Sequence, residues 1–214
     1  MKVPMRTAGI RSALVCVLAV CSGCTGSLFE SDTPVSINYV LAPAKTAAGS
    51  SAATQADLAI GRPSVAPGLD TQRVAVLRGR ELDYYRTARW GGGTSEIMQS
   101  MLIGSLHNQR LFRSVTAEQA RVAGDYVLDV DVRDFQAEYG SAAAPTVHVA
   151  VIGRLIRVSD RQLVDSIVSD AEQVAAEDRM SAIAAAFESA SQKISLDLAQ
   201  KAAAAIAADA EKKK

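Results

Sequence analysis

The side chains able to do chemistry in this 214-residue chain are few and widely spaced. There are two histidines, His107 and His148, and neither belongs to an H-E-x-x-H or any other grouping with metal-ligand spacing. His107 falls in a helical stretch and reads as a surface or partly packed residue. No G-x-S-x-G stretch is present, so no serine pairs with a base on sequence grounds. Asp129, Asp131 and Asp134 lie close together, but the first two project from one strand face two residues apart. That pattern reads as a solvated strand face rather than a Ca²⁺ cage. Gly91-Gly92-Gly93-Thr94-Ser95 could offer free backbone N–H groups to an anion at a helix start. It lacks the G-x-x-x-x-G-K-[ST] frame and has no lysine nearby, so a hinge with a helix cap is favoured. The expectation is a chain that is not an enzyme and holds neither metal nor cofactor.

Cys24 is different, because its neighbours specify a reaction. Lys2, Arg6 and Arg11 precede an unbroken apolar run from Ala13 to Val20, which together make the basic and apolar regions of a secretory signal. A bilayer-spanning helix takes about 20 apolar residues, so the run is too short for a permanent anchor. Ser22 and Gly23 then lead into Cys24, which resembles the bacterial lipobox. In that motif the thiol is acylated, the leader is cut off just before it, and the new terminal cysteine is acylated again. The position before Ser22 is usually Leu or Val and here is Cys21. A plain signal peptide with an incidental thiol is the competing reading. Thr25 stands where an Asp would resemble an inner-membrane retention signal, so the outer membrane, on its periplasmic face, is the expected location. The expected organisation is a signal peptide over 1–23, a lipidated tether over 24–34 and a domain over 35–211.

Loss of 1–23 removes three of the 23 basic residues and none of the 23 acidic ones, leaving a charge of about −3. No basic stripe calls for a nucleic-acid partner. Cys16 and Cys21 leave with the leader and Cys24 is blocked, so the domain is expected to have no disulfide and no cysteine metal site.

Aromatic residues make up only 5% of the chain, yet Tyr84, Tyr85 and Trp90 fall within seven residues. Tyr and Trp suit surfaces where one end is apolar and the other wet, so the three are candidates for partner binding. The competing reading has at least one of them, Tyr84 or Trp90, filling the core.

The elements that must position these residues follow from periodicity. Val35, Ile37, Tyr39 and Leu41 alternate with small or polar residues, a strand that Pro43 ends. An Ala/Ser/Thr/Gly-rich loop covers 44–56. Extended segments are expected over 57–65 and 72–79, with a turn at Pro67-Gly68, and 81–85 as a fourth strand or hairpin partner. Thr94 or Ser95 caps a helix carrying Ile97, Met101, Leu102 and Leu106 to about Gln109. Segments 126–139, 146–158 and 162–175 alternate and are joined by short gaps, which predicts a three-stranded antiparallel meander. From Arg179, the positions Met180, Ile183, Phe187, Ala190, Ile194, Leu198 and Ile206 share one face of a long helix. The fold class is therefore α/β, a mixed sheet with helices packed on it.

"INYVLAP", "RPSVAPGLDTQRVAVLRGRELDYYRTARW", "RLFRSV" and "GDYVLDVDVRDFQAEY", together with the lipobox Cys24, resemble the ABC-type transport auxiliary lipoproteins, whose members include the lipoprotein of the paraquat-inducible system. The specific positions are Leu69, Asp70, Val74, Leu82, Tyr84, Trp90, Phe112 and Val115. The triple glycine after Trp90 departs from the pattern, where Ala is common. The resemblance implies an anticodon-binding-domain-like α/β sandwich. It also implies work beside an ABC permease, an ATPase and an MCE-domain protein that move lipids between inner and outer membranes. The implied role is a docking piece without catalysis that oligomerises around the MCE assembly. A structural or envelope-assembly lipoprotein, and an enzyme with an unrecognised site joining His107 to two carboxylates, remain the alternatives.

Overall fold

Long stretches of alternating β-branched and polar residues can bury one face only by pairing side by side, and three of them build one half of the sheet. The computed structural model describes residues 36–45 and 53–212; Cys24, the leader and the tether fall outside the described residues. In chain order the strands are β1 (Ile37–Tyr39), β2 (Asp57–Ile60), β3 (Ser64–Val65), β4 (Arg73–Arg78), β5 (Glu81–Trp90), β6 (Ser114–Ala117), β7 (Tyr126–Tyr139), β8 (Thr146–Arg157) and β9 (Leu163–Val174). The helices are α1 (Thr94–Gln109), between β5 and β6, and α2 (Met180–Glu211), after β9. None of the described helices is long and apolar enough to cross a membrane.

The meander is present as β7-β8-β9, antiparallel throughout. The other edge of β7 takes three short strands in parallel: β2 against Tyr126–Leu128, β3 against Asp131 and Val132, and β4 against Ala137–Tyr139. Beyond them β4 pairs β5, β5 pairs β1, and β2 pairs β6. The sheet is thus mixed, as the α/β expectation requires.

Leu128, Val130 and Val132 of β7, Val147, Val149, Val151 and Leu155 of β8, and Ile167 and Ala171 of β9 are buried. A bulge interrupts the alternation: pairing jumps from Val132↔Val151 to Asp134↔Ala150, leaving Arg133 unopposed. The extra residue lets Phe135, three positions after Val132, join the core face while Asp134 stays outside.

The hairpin β4–β5 turns through Gly79-Arg80. Gly79 has φ 61° and Arg80 is not left-handed, so the first central position alone needs glycine. β5 continues past Tyr85 to Trp90, so the hairpin partner is twice the expected length.

α1 begins at Gly93 as its N-cap, not at Thr94 or Ser95. The Glu96 carboxylate accepts from the Gly93 N–H at 3.2 Å, and Asp70 Oδ1 accepts from the Ser95 N–H at 3.1 Å. The Thr94 hydroxyl points away and donates to the Leu69 carbonyl at 2.6 Å. α2 carries its predicted face inward: Ile183, Phe187, Ala190, Ile194, Leu198 and Ile206 are all buried. Its many alanines let the helix lie close to β8 and β9.

After Tyr39 the chain leaves the sheet and crosses both helices as a strap. The Ala42 N–H donates to Glu188 Oε2 at 2.8 Å, and Gln192 donates to the Ala42 carbonyl at 2.9 Å, both on α2. The Ala44 N–H donates to Ser105 Oγ at 3.0 Å, and Asn108 donates to the Ala44 carbonyl at 2.8 Å, both on α1. The strand expected from Val35, with Pro43 ending it, is therefore short: pairing stops at Tyr39, and Ala42 and Ala44 bond to helices instead.

Candidate functional site

The aromatic cluster is split by the fold. Trp90 is 1% exposed and sits among Phe135 and Phe187, with ring centroids 5.8 and 5.0 Å away. It has no surface to offer a partner, which corrects its assignment to a binding face: alternation along β5 turns Ala88 and Trp90 into the core. Tyr84 is half-buried; its hydroxyl donates to the Gly68 carbonyl at 2.7 Å, and the Arg73 guanidinium lies 3.8 Å above its ring. Tyr85 is half-buried on the other side, with its hydroxyl 2.8 Å from that of Tyr139. Tyr139 in turn donates to Asp178, and Arg78 lies 4.7 Å above the Tyr139 ring. Burial first, then the Tyr139 hydroxyl, push the Tyr85 phenol above its ordinary pKa.

The acidic strand face is occupied by arginines from its own sheet. Arg154 reaches Asp129 at 3.4 Å and Asp131 at 3.8 Å, and Arg133 reaches Asp131 at 3.1 Å. The glycine stretch is likewise used internally, since carboxylates of Glu96 and Asp70 already accept from the N–H groups an anion would need. His107 is exposed and borders a polar hollow of about 480 Å³ with Arg110 and Arg113; no carboxylate lines it.

Pairing register assembles one group that spacing did not reveal. Gln136, His148 and Glu172 are in one row across β7, β8 and β9. His148 Nε2 is 2.8 Å from Asp170 and Nδ1 is 3.2 Å from Glu138, while Gln136 donates to Asp134 and Glu138 at 3.0 Å each. Only the register of three strands, which the sequence does not print, brings these residues together.

A hollow of about 640 Å³ opens at the end of the sheet beneath the last turns of α2. Ala56, Val158, Ile206 and Ala210 make its walls apolar, and Tyr126 and Arg157 form a polar floor. Below them Asp209, with a side chain 7% exposed, accepts from the Tyr126 hydroxyl at 2.8 Å and from Arg157 at 2.9 and 2.6 Å. Arg157 also bonds Asp160. The Arg157 charge is thus fully matched by carboxylates, and the Asp209 bond holds Arg157 more firmly protonated than usual. Such a hollow accepts uncharged, apolar groups; its one cation, Arg157, is already bonded to two carboxylates, and Asp125 on its lining adds negative charge, so it offers an anion no unmatched cation.

The family model described as ABC-type transport auxiliary lipoprotein component matches residues 39–199. Among solved structures the chain is similar to a protein from Xanthomonas campestris, at 22% identity and a TM-score of 0.75 over 82% of this chain and 99% of that one. It is also similar to an uncharacterized protein, at 16% identity and a TM-score of 0.63 over 78% and 98%. At these identities the likeness is one of fold. No curated protein matches the chain. With three quarters of its length inside the family model, the chain belongs to the family of ABC-type transport auxiliary lipoprotein components.

Proposed function

We propose that the protein is a lipid-anchored periplasmic subunit that docks an ABC transporter and MCE-domain assembly moving lipids between the inner and outer membranes, and that it catalyses nothing itself. The family match over 39–199 carries this reading. In it Cys24 bears the acyl chains. Each buried methylene contributes about 0.8 kcal/mol, and two or more chains anchor stably where one does not. The domain then works from the outer-membrane surface, on the periplasmic side, and oligomerises around its partner. Tyr84 and Tyr85, only half-buried, keep ring surface for that partner.

The test is recovery of partners from detergent-solubilised membranes through a C-terminal tag, with Cys24→Ala as control. Co-purification of an MCE-domain protein with an ABC permease and ATPase supports the proposal. Recovery of only outer-membrane or peptidoglycan-linked proteins replaces it with the structural, envelope-assembly role.

A further inference from the structure

The β4–β5 hairpin carries Arg73, Arg78, Arg80, Arg86 and Arg89, all exposed. Against them stand only Glu81 and Asp83, a local surplus of three positive charges in a chain of formal charge zero. Elsewhere Arg62, Arg113, Arg133, Arg154, Arg157 and Arg179 are tied to carboxylates, and the other three described arginines are scattered singly. Among the described residues none of the five hairpin arginines forms an ion pair. Two are held on aromatic faces instead, Arg73 over Tyr84 and Arg78 over Tyr139. Stacking uses the flat face of a guanidinium and leaves its N–H edge free to bind a phosphate.

The apolar surroundings match. Leu82 on the same hairpin is 39% exposed. On β1, paired with the far end of β5, Ile37 is 59% exposed, and Val40 just beyond is 80% exposed. Arginines and exposed aliphatic residues along this end of the sheet have the chemistry of a bilayer interface. The chain itself leads there. Ser36 enters β1 beside β5, and the twelve residues from Cys24 span at most roughly 40 Å when extended. On the reading that Cys24 is acylated, this edge is therefore kept within reach of the membrane.

We propose that the β4–β5 hairpin is the surface by which the domain lies on its membrane, with its arginines on the phosphates of anionic phospholipid headgroups. The experiment uses the full chain with Cys24→Ala, sedimented with vesicles of phosphatidylcholine alone and of phosphatidylcholine mixed with phosphatidylglycerol. The chain should bind the mixed vesicles more tightly, and added salt should weaken that binding. An arginine near an anionic surface is worth about fivefold, so Arg78→Gln, Arg80→Gln and Arg86→Gln together should cut binding roughly a hundredfold. The pair Arg121→Gln and Arg161→Gln, off the hairpin, should not; circular dichroism checks that every variant is folded. Equal binding to both vesicles, no binding to either, or a triple variant that binds like its parent would each overturn the proposal. Because Cys24 is absent from the experiment, acylation stands or falls separately, by incorporation of labelled palmitate into the unaltered chain.

Discussion

His148 is held between two carboxylates on the open face of the meander, and its charge has a definite sign of effect. Partial burial works against the imidazolium, but the bonds to Asp170 and Glu138 outweigh it and raise its pKa above 6.5. A raised folded-state value means the stabilisation is full below about 6.5 and is lost as pH rises through the raised value. The melting-temperature gap between the protein and His148→Gln should therefore be widest near about pH 6 and shrink at alkaline pH. A gap constant with pH would contradict this. Asp57 has the opposite sign. The Arg113 side chain, then the Ser114 hydroxyl, hold its carboxyl down at about 2, so its contribution is present above 3.8 and lost as pH falls from there. Arg113→Gln should lower stability near neutrality and flatten the acid limb of a stability–pH curve, so that the two proteins converge at low pH. Neither pairing could be read from the sequence, since Asp57 is 56 positions from Arg113 and His148 is 22 from Asp170. Trp90 did stand out, but composition alone could not tell a wet aromatic from a buried one. The decision lay in the strand parity of Ala88 and Trp90 at the far end of β5.

Elements with their own period were legible, and those made by distant pairing were not. The alternation of β7, β8 and β9 and the inward stripe of α2 could be read directly, because each face repeats along a single segment. The bulge at Arg133 switches the buried parity from Val132 to Phe135, a break that treating 126–139 as one uniform strand passes over. Similarly, the strap after β1 looked like a strand end, because Pro43 hides that Ala42 and Ala44 bond to two helices. That strap depends on Gly104. A Cβ there would come within 2.6 and 2.9 Å of the Pro43 ring, which cannot rotate away. Gly104→Ala must lift the strap from α1 and strain its bonds to Ser105 and Asn108. The expected cost is about 1–3 kcal/mol in chemical denaturation, with faster hydrogen exchange at the Ala44 amide. Gly140→Ala, where a Cβ meets nothing within 4 Å, should change stability by under about 0.5 kcal/mol. Equal effects from the two substitutions would remove the strap as a structural element.

At the scale of the whole molecule, one aromatic contact ties the hairpin to the rest. Trp90 comes from β5, Phe135 from β7 and Phe187 from α2, and their centroids are 4.9 to 5.8 Å apart. The basic hairpin and the long helix are thus fixed to the same point of the core, although they lie on distant parts of the sequence. Trp90→Ala should cost about 3–5 kcal/mol by urea denaturation. Residues in contact do not act independently, so Trp90→Ala and Phe187→Ala together should cost less than the sum of the two. The shortfall includes the about 0.5–1.5 kcal/mol that an aromatic pair gives beyond burial. Strict additivity would mean that the hairpin and α2 are stabilised separately. The same coupling decides how partner binding must be probed. A loss of partner with Trp90→Ala reports a loosened core, whereas Tyr85→Phe removes one hydroxyl contact with Tyr139 and keeps the ring in place. A partner lost with Tyr85→Phe at unchanged melting temperature would assign the docking surface to the hairpin's tyrosine side; a partner retained would move that surface elsewhere on the domain.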